Sequence, residues 1–183
     1  NGNLNCQNAT FTKANEFAFG ADGLAIRGTV FLKDVKSTGE VRFAGANIGG
    51  DLDCSRATFE NIGGDAFNLD RATIKGEMIL INAKAKGNVR LLGAKIEGDI
   101  NCREAIFESN KNMAFAADRA IVNGNVVLFK VKAKGEVRLS GTIIAGDLVC
   151  QEAAFENPEG HAFIGEKLRI NGTLFINNLQ NLD

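Results

Sequence analysis

The chain of 183 residues has no tryptophan, no tyrosine, a single proline and a single histidine. An enzyme usually draws on a wider palette, and so narrow a one points to the same environment built many times over. Charge of one sign is missing as well: 21 Lys and Arg against 22 Asp and Glu leave a net −1. That balance argues against a basic nucleic-acid binder and, equally, against a strongly acidic mimic of nucleic acid. No apolar run approaches the ~18 residues that span a bilayer, and no signal-peptide pattern opens the chain. What remains is 45% apolar, with 13 Phe and 21 Gly. This is enough for a core and sets disorder aside. Residues 1–183 read as one domain. Because the chain starts and stops in mid-repeat, it reads as a fragment of, or nearly all of, a longer repeat protein.

The repeat is direct. Gly2-Asn-Leu-Asn-Cys6 returns as Gly50-Asp-Leu-Asp-Cys54, Gly98-Asp-Ile-Asn-Cys102 and Gly146-Asp-Leu-Val-Cys150, each 48 positions after the last, with no insertion. One repeat divides into units 50–64, 65–75, 76–86 and 87–97. In every unit apolar residues fall at the third, fifth, eighth and tenth positions, as in Val89, Leu91, Ala94 and Ile96 or Leu52, Cys54, Ala57 and Phe59. A helix alternates gaps of three and four, and a long strand keeps gaps of two. Pairs of inward residues separated by bends predict short strands joined by corners, and hence an all-β solenoid.

At this point the chain resembles the pentapeptide-repeat proteins, whose motif is a small residue, Asp or Asn, Leu or Phe, then two free positions. Ala46-Asn-Ile48 fits closely; Ala57-Thr-Phe59, Ala72-Thr-Ile74, Ala94-Lys-Ile96 and Ala105-Ile-Phe107 keep the small and large inward positions. The chain departs from that motif in its six-residue segments and in a middle residue that is rarely Asp or Asn. The resemblance implies a right-handed, four-sided parallel β-helix, and the six-residue segments imply wider coils than the family's.

Two units per coil give alternating coils of 26 and 22 residues, about seven to eight in all, and predict columns of stacked residues. The tenth position reads Phe11, Ser37, Phe59, Ala85, Phe107, Ala133, Phe155, large alternating with small as close packing demands. The fifth reads Cys6, Leu32, Cys54, Leu80, Cys102, Leu128, Cys150, Ile176, and the far side carries Ile26, Ile48, Ile74, Ile96, Val122, Ile144, Ile170. Loops Thr12–Glu16, Glu60–Gly64, Glu108–Asn112 and Glu156–Gly160 leave one corner, sharing length but not sequence. They read first as a structural detour and second as a contact surface.

Candidate chemistry is sparse. Successive cysteines lie two layers apart, ~9.6 Å, too far for a disulfide or a shared metal, so they read as buried thiols in a reducing compartment, the cytoplasm. His161 has no nucleophile beside it. Asp51 and Asp53 could meet a cation but read better as a solvated face. Lys84, Lys86 and Lys130–Lys134 suggest an anion stripe until the eleventh position is stacked: Glu60, Lys86, Glu108, Lys134, Glu156 alternate in sign. Asn8-Ala-Thr10 and Asn171-Gly-Thr173 match the glycosylation triplet by chance in a bacterial-looking repeat. No phosphate-cradling loop appears, and no cofactor or metal is expected.

Two surface columns point to partners. Phe31, Ile79, Ile81, Val127, Phe129, Val149 and Phe175 fall at outward positions of the first side, and aligned exposed apolar area marks an interface. Arg42, Arg90 and Arg138 form a column among small residues such as Ala66 and Ala114, fit to grip an acidic partner. The expectation is a non-catalytic scaffold or protein-interaction module that binds a protein partner or self-associates, with no nucleic acid and no membrane span. One alternative, from the resemblance, is a DNA-mimicking protein that binds a topoisomerase, which the near-neutral charge weakens. A β-helix enzyme is a further alternative, without a convergent cluster to rest on.

Overall fold

The computed structural model describes residues 2–179, and of residues 14–16 and 111–112 the backbone only. Among the described residues every strand lies in a parallel ladder and no helix occurs. The first ladder stacks eight two-residue strands: Leu4–Asn5, Val30–Phe31, Leu52–Asp53, Met78–Ile79, Ile100–Asn101, Val126–Val127, Leu148–Val149 and Leu174–Phe175. The second stacks seven longer ones: Thr10–Gly20, Lys36–Arg42, Thr58–Asn68, Lys84–Arg90, Ile106–Ala116, Lys132–Arg138 and Ala154–Glu156. The third runs through Ala25–Ile26, Asn47–Ile48, Thr73–Ile74, Lys95–Ile96, Ile121–Val122, Ile143–Ile144 and Arg169–Ile170. This is the expected β-solenoid. Eight layers ~4.8 Å apart make a rod roughly 35 Å long.

Two-residue strands follow from the inward pairs. Leu52 and Cys54 are buried with Asp53 outward between them, and the chain then turns. The Ala57 N–H donates to the Cys54 carbonyl at 3.0 Å, closing a β-turn whose third residue, Arg56, has φ 58°. Positive φ recurs at Asn8, Asp34, Asn82, Glu104, Lys130, Glu152 and Asn178. A side chain in that region costs ~1–2 kcal/mol, and the stacking of each turn on its neighbours holds it there.

One corner differs from the sequence reading. The gap of four between Ala85 and Val89 predicts a bend between separate strands, but Lys84–Arg90 is one strand. Ala85, Gly87 and Val89 all face inward, and Gly87 escapes notice because its inward position carries no side chain. Gly39 and Gly135 occupy the same place, with φ 110° and 115° against 125° at Gly87. A Cβ on Gly87 would strike the carbonyl oxygens of Asn61 and Gly64, so the loop of the wide coil rests where the narrow coil has only backbone. The second ladder thus supplies two sides of each coil, with register shifts where it turns.

Observed pairings reproduce the columns. Ala85 lies between Phe59 and Phe107, and Ala133 between Phe107 and Phe155. A second column alternates in phase with the first: Phe19, Val41, Phe67, Val89, Phe115, Val137, Phe163. Each wide coil therefore carries a phenylalanine pair across the corner. The ring centroids are 4.5 Å apart for Phe59 and Phe67, 5.4 Å for Phe107 and Phe115, and 5.8 Å for Phe155 and Phe163. The loop makes room for two rings in the wide coil, and Ala, Gly and Val draw the narrow coil in beneath them.

Candidate interaction surfaces

On the outer face of the first ladder the register is Asn5, Phe31, Asp53, Ile79, Asn101, Val127, Val149, Phe175. The expected apolar stripe is therefore interrupted: Asp53 separates Phe31 from Ile79, and Asn101 separates Ile79 from Val127. It is continuous only over Val127, Val149 and Phe175. Ile81 and Phe129 sit two residues further on in their coils, where Ser55 and Arg103 occupy the polar layers. Phe31, Ile79, Ile81, Val127, Phe129 and Val149 are half-buried, and Phe175 is exposed. Two cations cover part of the Phe129 ring, the Arg103 guanidinium 4.8 Å and the Lys130 ammonium 5.1 Å from its centroid. The polar layers are self-satisfied in part, since Asp53 accepts hydrogen bonds from the backbone N–H and hydroxyl of Ser55.

The arginine column stands beside different neighbours from those expected. Arg42 pairs with Gly20 and Asn68, Arg90 with Asn68 and Ala116, and Arg138 with Ala116 and Ile164; Ala66 and Ala114 point into the core. The extra residues of the wide coil's corner account for the two-residue displacement. Each arginine is also engaged by an aspartate of the preceding coil: Arg42 by Asp22 at 2.9 Å, Arg90 by Asp70 and, at 3.1 Å, by Asp65, and Arg138 by Asp118 at 2.6 Å. The same aspartates accept a backbone N–H of the next coil, from Ala44, Leu92 and Ser140. Asp22, Asp70 and Asp118 thus staple one coil to the next, a role visible in their 48-residue spacing but not read from it. Nearby, burial pushes the Glu40 carboxyl above its ordinary pKa, and the Asn68 amide, donating at 3.2 Å, works against that shift.

The acidic positions that might have met a cation have structural work of the same kind. Asp51 accepts the Glu77 N–H at 2.9 Å, Asp99 accepts the Asn125 N–H at 2.7 Å, and Asp147 accepts the Thr173 N–H at 2.7 Å. Among the described residues no three His, Cys, Asp or Glu converge as metal ligands, and no helix is long and apolar enough to cross a membrane. Cys54, Cys102 and Cys150 are free and buried, Cys6 is free and half-buried, and burial pushes the Cys150 thiol up to about 12. His161 is exposed. On the outer face of the second ladder Lys86 lies between Glu60 and Glu108, with Glu60 at 3.1 Å. The Glu60–Gly64 loop packs over Gly87 as a detour would; residues 14–16 and 111–112 of the equivalent loops lie outside the described side chains.

Compared with protein families, curated proteins and solved structures, this chain matches nothing. The resemblance to pentapeptide-repeat proteins therefore rests on the residues quoted for it, since a solenoid topology alone does not identify a family.

Proposed function

We propose that this chain is a non-catalytic scaffold, a stiff rod that docks another protein surface, a second copy included, through the outer face of its first ladder. The observation that carries the reading is the pair of apolar layers Ile79 with Ile81 and Val127 with Phe129, at positions that face away from a filled core. Met78 and Leu80 are buried on either side of Ile79, as Val126 and Leu128 are around Val127, so neither outward side chain can turn inward. Each leaves apolar area in water at ~25 cal/mol per Å² that a partner surface recovers. A DNA-mimicking surface draws no support, because Lys and Glu alternate along the second ladder and each column arginine holds an aspartate. The arginine column serves cohesion between coils better than capture of an acidic partner. The test is sedimentation equilibrium to millimolar concentration on the parent and on Ile79→Lys with Val127→Lys. Association in the parent above its 19.5 kDa monomer, abolished in the double variant, is expected. A parent that stays monomeric throughout, with no apolar partner surface found in binding assays, overturns the reading.

A further inference from the structure

The ninth position of the units stacks a second-ladder row whose only charges are positive: Thr10, Lys36, Thr58, Lys84, Ile106, Lys132, Ala154. Its three lysines occupy successive narrow coils, ~9.6 Å apart, and all three are exposed. Among the described residues none of the three lies within ion-pair distance of a carboxylate. The rows on either side largely cancel within themselves. On one, Glu60, Lys86, Glu108, Lys134 and Glu156 alternate in sign. On the other, Arg56 holds Asp34 at 2.8 Å and Lys130 holds Glu152 at 3.5 Å.

Two of these lysines also sit in depressions. Lys84 lies in one of about 420 Å³, between Thr58 with Glu60 on one wall and Ile106 with Glu108 on the other. Lys36 lies in a second of about 320 Å³, between Thr10 and Thr58. The walls belong to wide coils and the floors to narrow ones, so the alternation that packs the core also corrugates this face. From this we infer that the ninth-position row docks an acidic polypeptide segment in the polyproline II conformation, laid along the rod with a carboxylate at every third residue. Chain geometry selects that occupant. Polyproline II returns to one face every three residues, ~9.3 Å, within ~0.3 Å of the lysine spacing. A β-strand returns every ~6.8 Å and falls out of step at once. An α-helix returns after seven residues, ~10.5 Å, and drifts by ~1 Å at each step. Thr58 and Ile106, both uncharged, face the two residues between successive carboxylates. This row lies on the second ladder, clear of the apolar face proposed above, so either reading can fail without the other.

Exposed ion pairs are individually weak, so the test is made at about 20 mM salt, where screening is slight. The probe is a dye-labelled peptide of four Glu-Pro-Pro repeats, its binding followed by fluorescence anisotropy. A peptide of four Glu-Pro-Pro-Pro repeats carries the same charge, but its carboxylates leave the common face. The in-phase peptide should bind at least about fivefold more tightly. Changing Lys36→Gln, Lys84→Gln and Lys132→Gln together should weaken it about tenfold. The same charge removed by Lys75→Gln, Lys95→Gln and Lys167→Gln, exposed and off the second ladder, should leave it within about twofold. The comparison of the two peptides needs no variant, so it stands even where substitution lowers stability. Equal affinity for the two peptides, equal losses in the two triple variants, or no binding by the parent each overturns the inference.

Discussion

Replacing Phe107 by alanine tests the alternation of wide and narrow coils at its centre. Phe107 is 1% exposed, its neighbours in the column are Ala85 and Ala133, and its ring stacks on Phe115 at 24°. With small residues in the layers above and below, no large side chain of the same column can swing into the vacated space, and Phe115 is the one ring beside it. The backbone cannot collapse into it either, because hydrogen bonds to both neighbouring coils hold it at the layer spacing. The site should therefore lie toward the costly end for such truncations, ~3–5 kcal/mol. With a urea slope of ~2 kcal/mol per molar, the midpoint falls by about 1.5–2.5 M. Without tryptophan or tyrosine the chain offers little intrinsic fluorescence, so far-ultraviolet circular dichroism is the assay. Ala85→Phe should also destabilise, by ~1–3 kcal/mol, because it forces a third ring between Phe59 and Phe107. A Phe107→Ala midpoint equal to the parent's would refute the packing argument.

Two further outcomes follow from the electrostatics. Asp70→Ala should cost ~1–3 kcal/mol, because it takes one of two carboxylate partners from a half-buried Arg90 and the acceptor from the Leu92 N–H, whereas Asp22→Ala, at the exposed end of the same series, should cost under ~1 kcal/mol. Equal midpoint shifts in urea would show that burial does not grade the staples. Burial raises the thiol pKa of Cys54, Cys102 and Cys150, so the folded state disfavours thiolate. Stability is unaffected below the unfolded value near 9 and falls as pH rises above it; a urea midpoint flat from pH 8 to 11 would contradict that burial, as would rapid labelling of all four thiols in native protein.

Much of this fold was legible because a solenoid repeats its environment. A residue type recurring every 48 positions names its own stacking neighbours, and the Phe59, Ala85, Phe107, Ala133 column came through unchanged. What failed to show were inward positions without a side chain. Gly39, Gly87 and Gly135 leave a hole in the apolar pattern, so a continuous strand reads as two with a bend. The Arg90 column was displaced for a related reason, since the corner of the wide coil absorbs residues that Lys84–Arg90 does not have. The staples at Asp22, Asp70 and Asp118 stayed hidden because their partners lie 20 residues away in the next coil, out of range of any local pattern.

The two-coil period governs the surfaces as well as the core. Large rings in every second coil require small residues in the next, and this doubles the structural unit from one layer to two. Outward residues inherit the doubling in part: Lys against Glu on the second ladder and arginines held by aspartates beyond the corner recur every ~9.6 Å instead of every ~4.8 Å, whereas on the first ladder the apolar pairs Ile79 with Ile81 and Val127 with Phe129 keep that spacing and Val149 and Phe175 break it. A partner that reads such a face must present features at the same spacing. An ordinary sheet, with equivalent residues every layer, would meet a polar row at every other step.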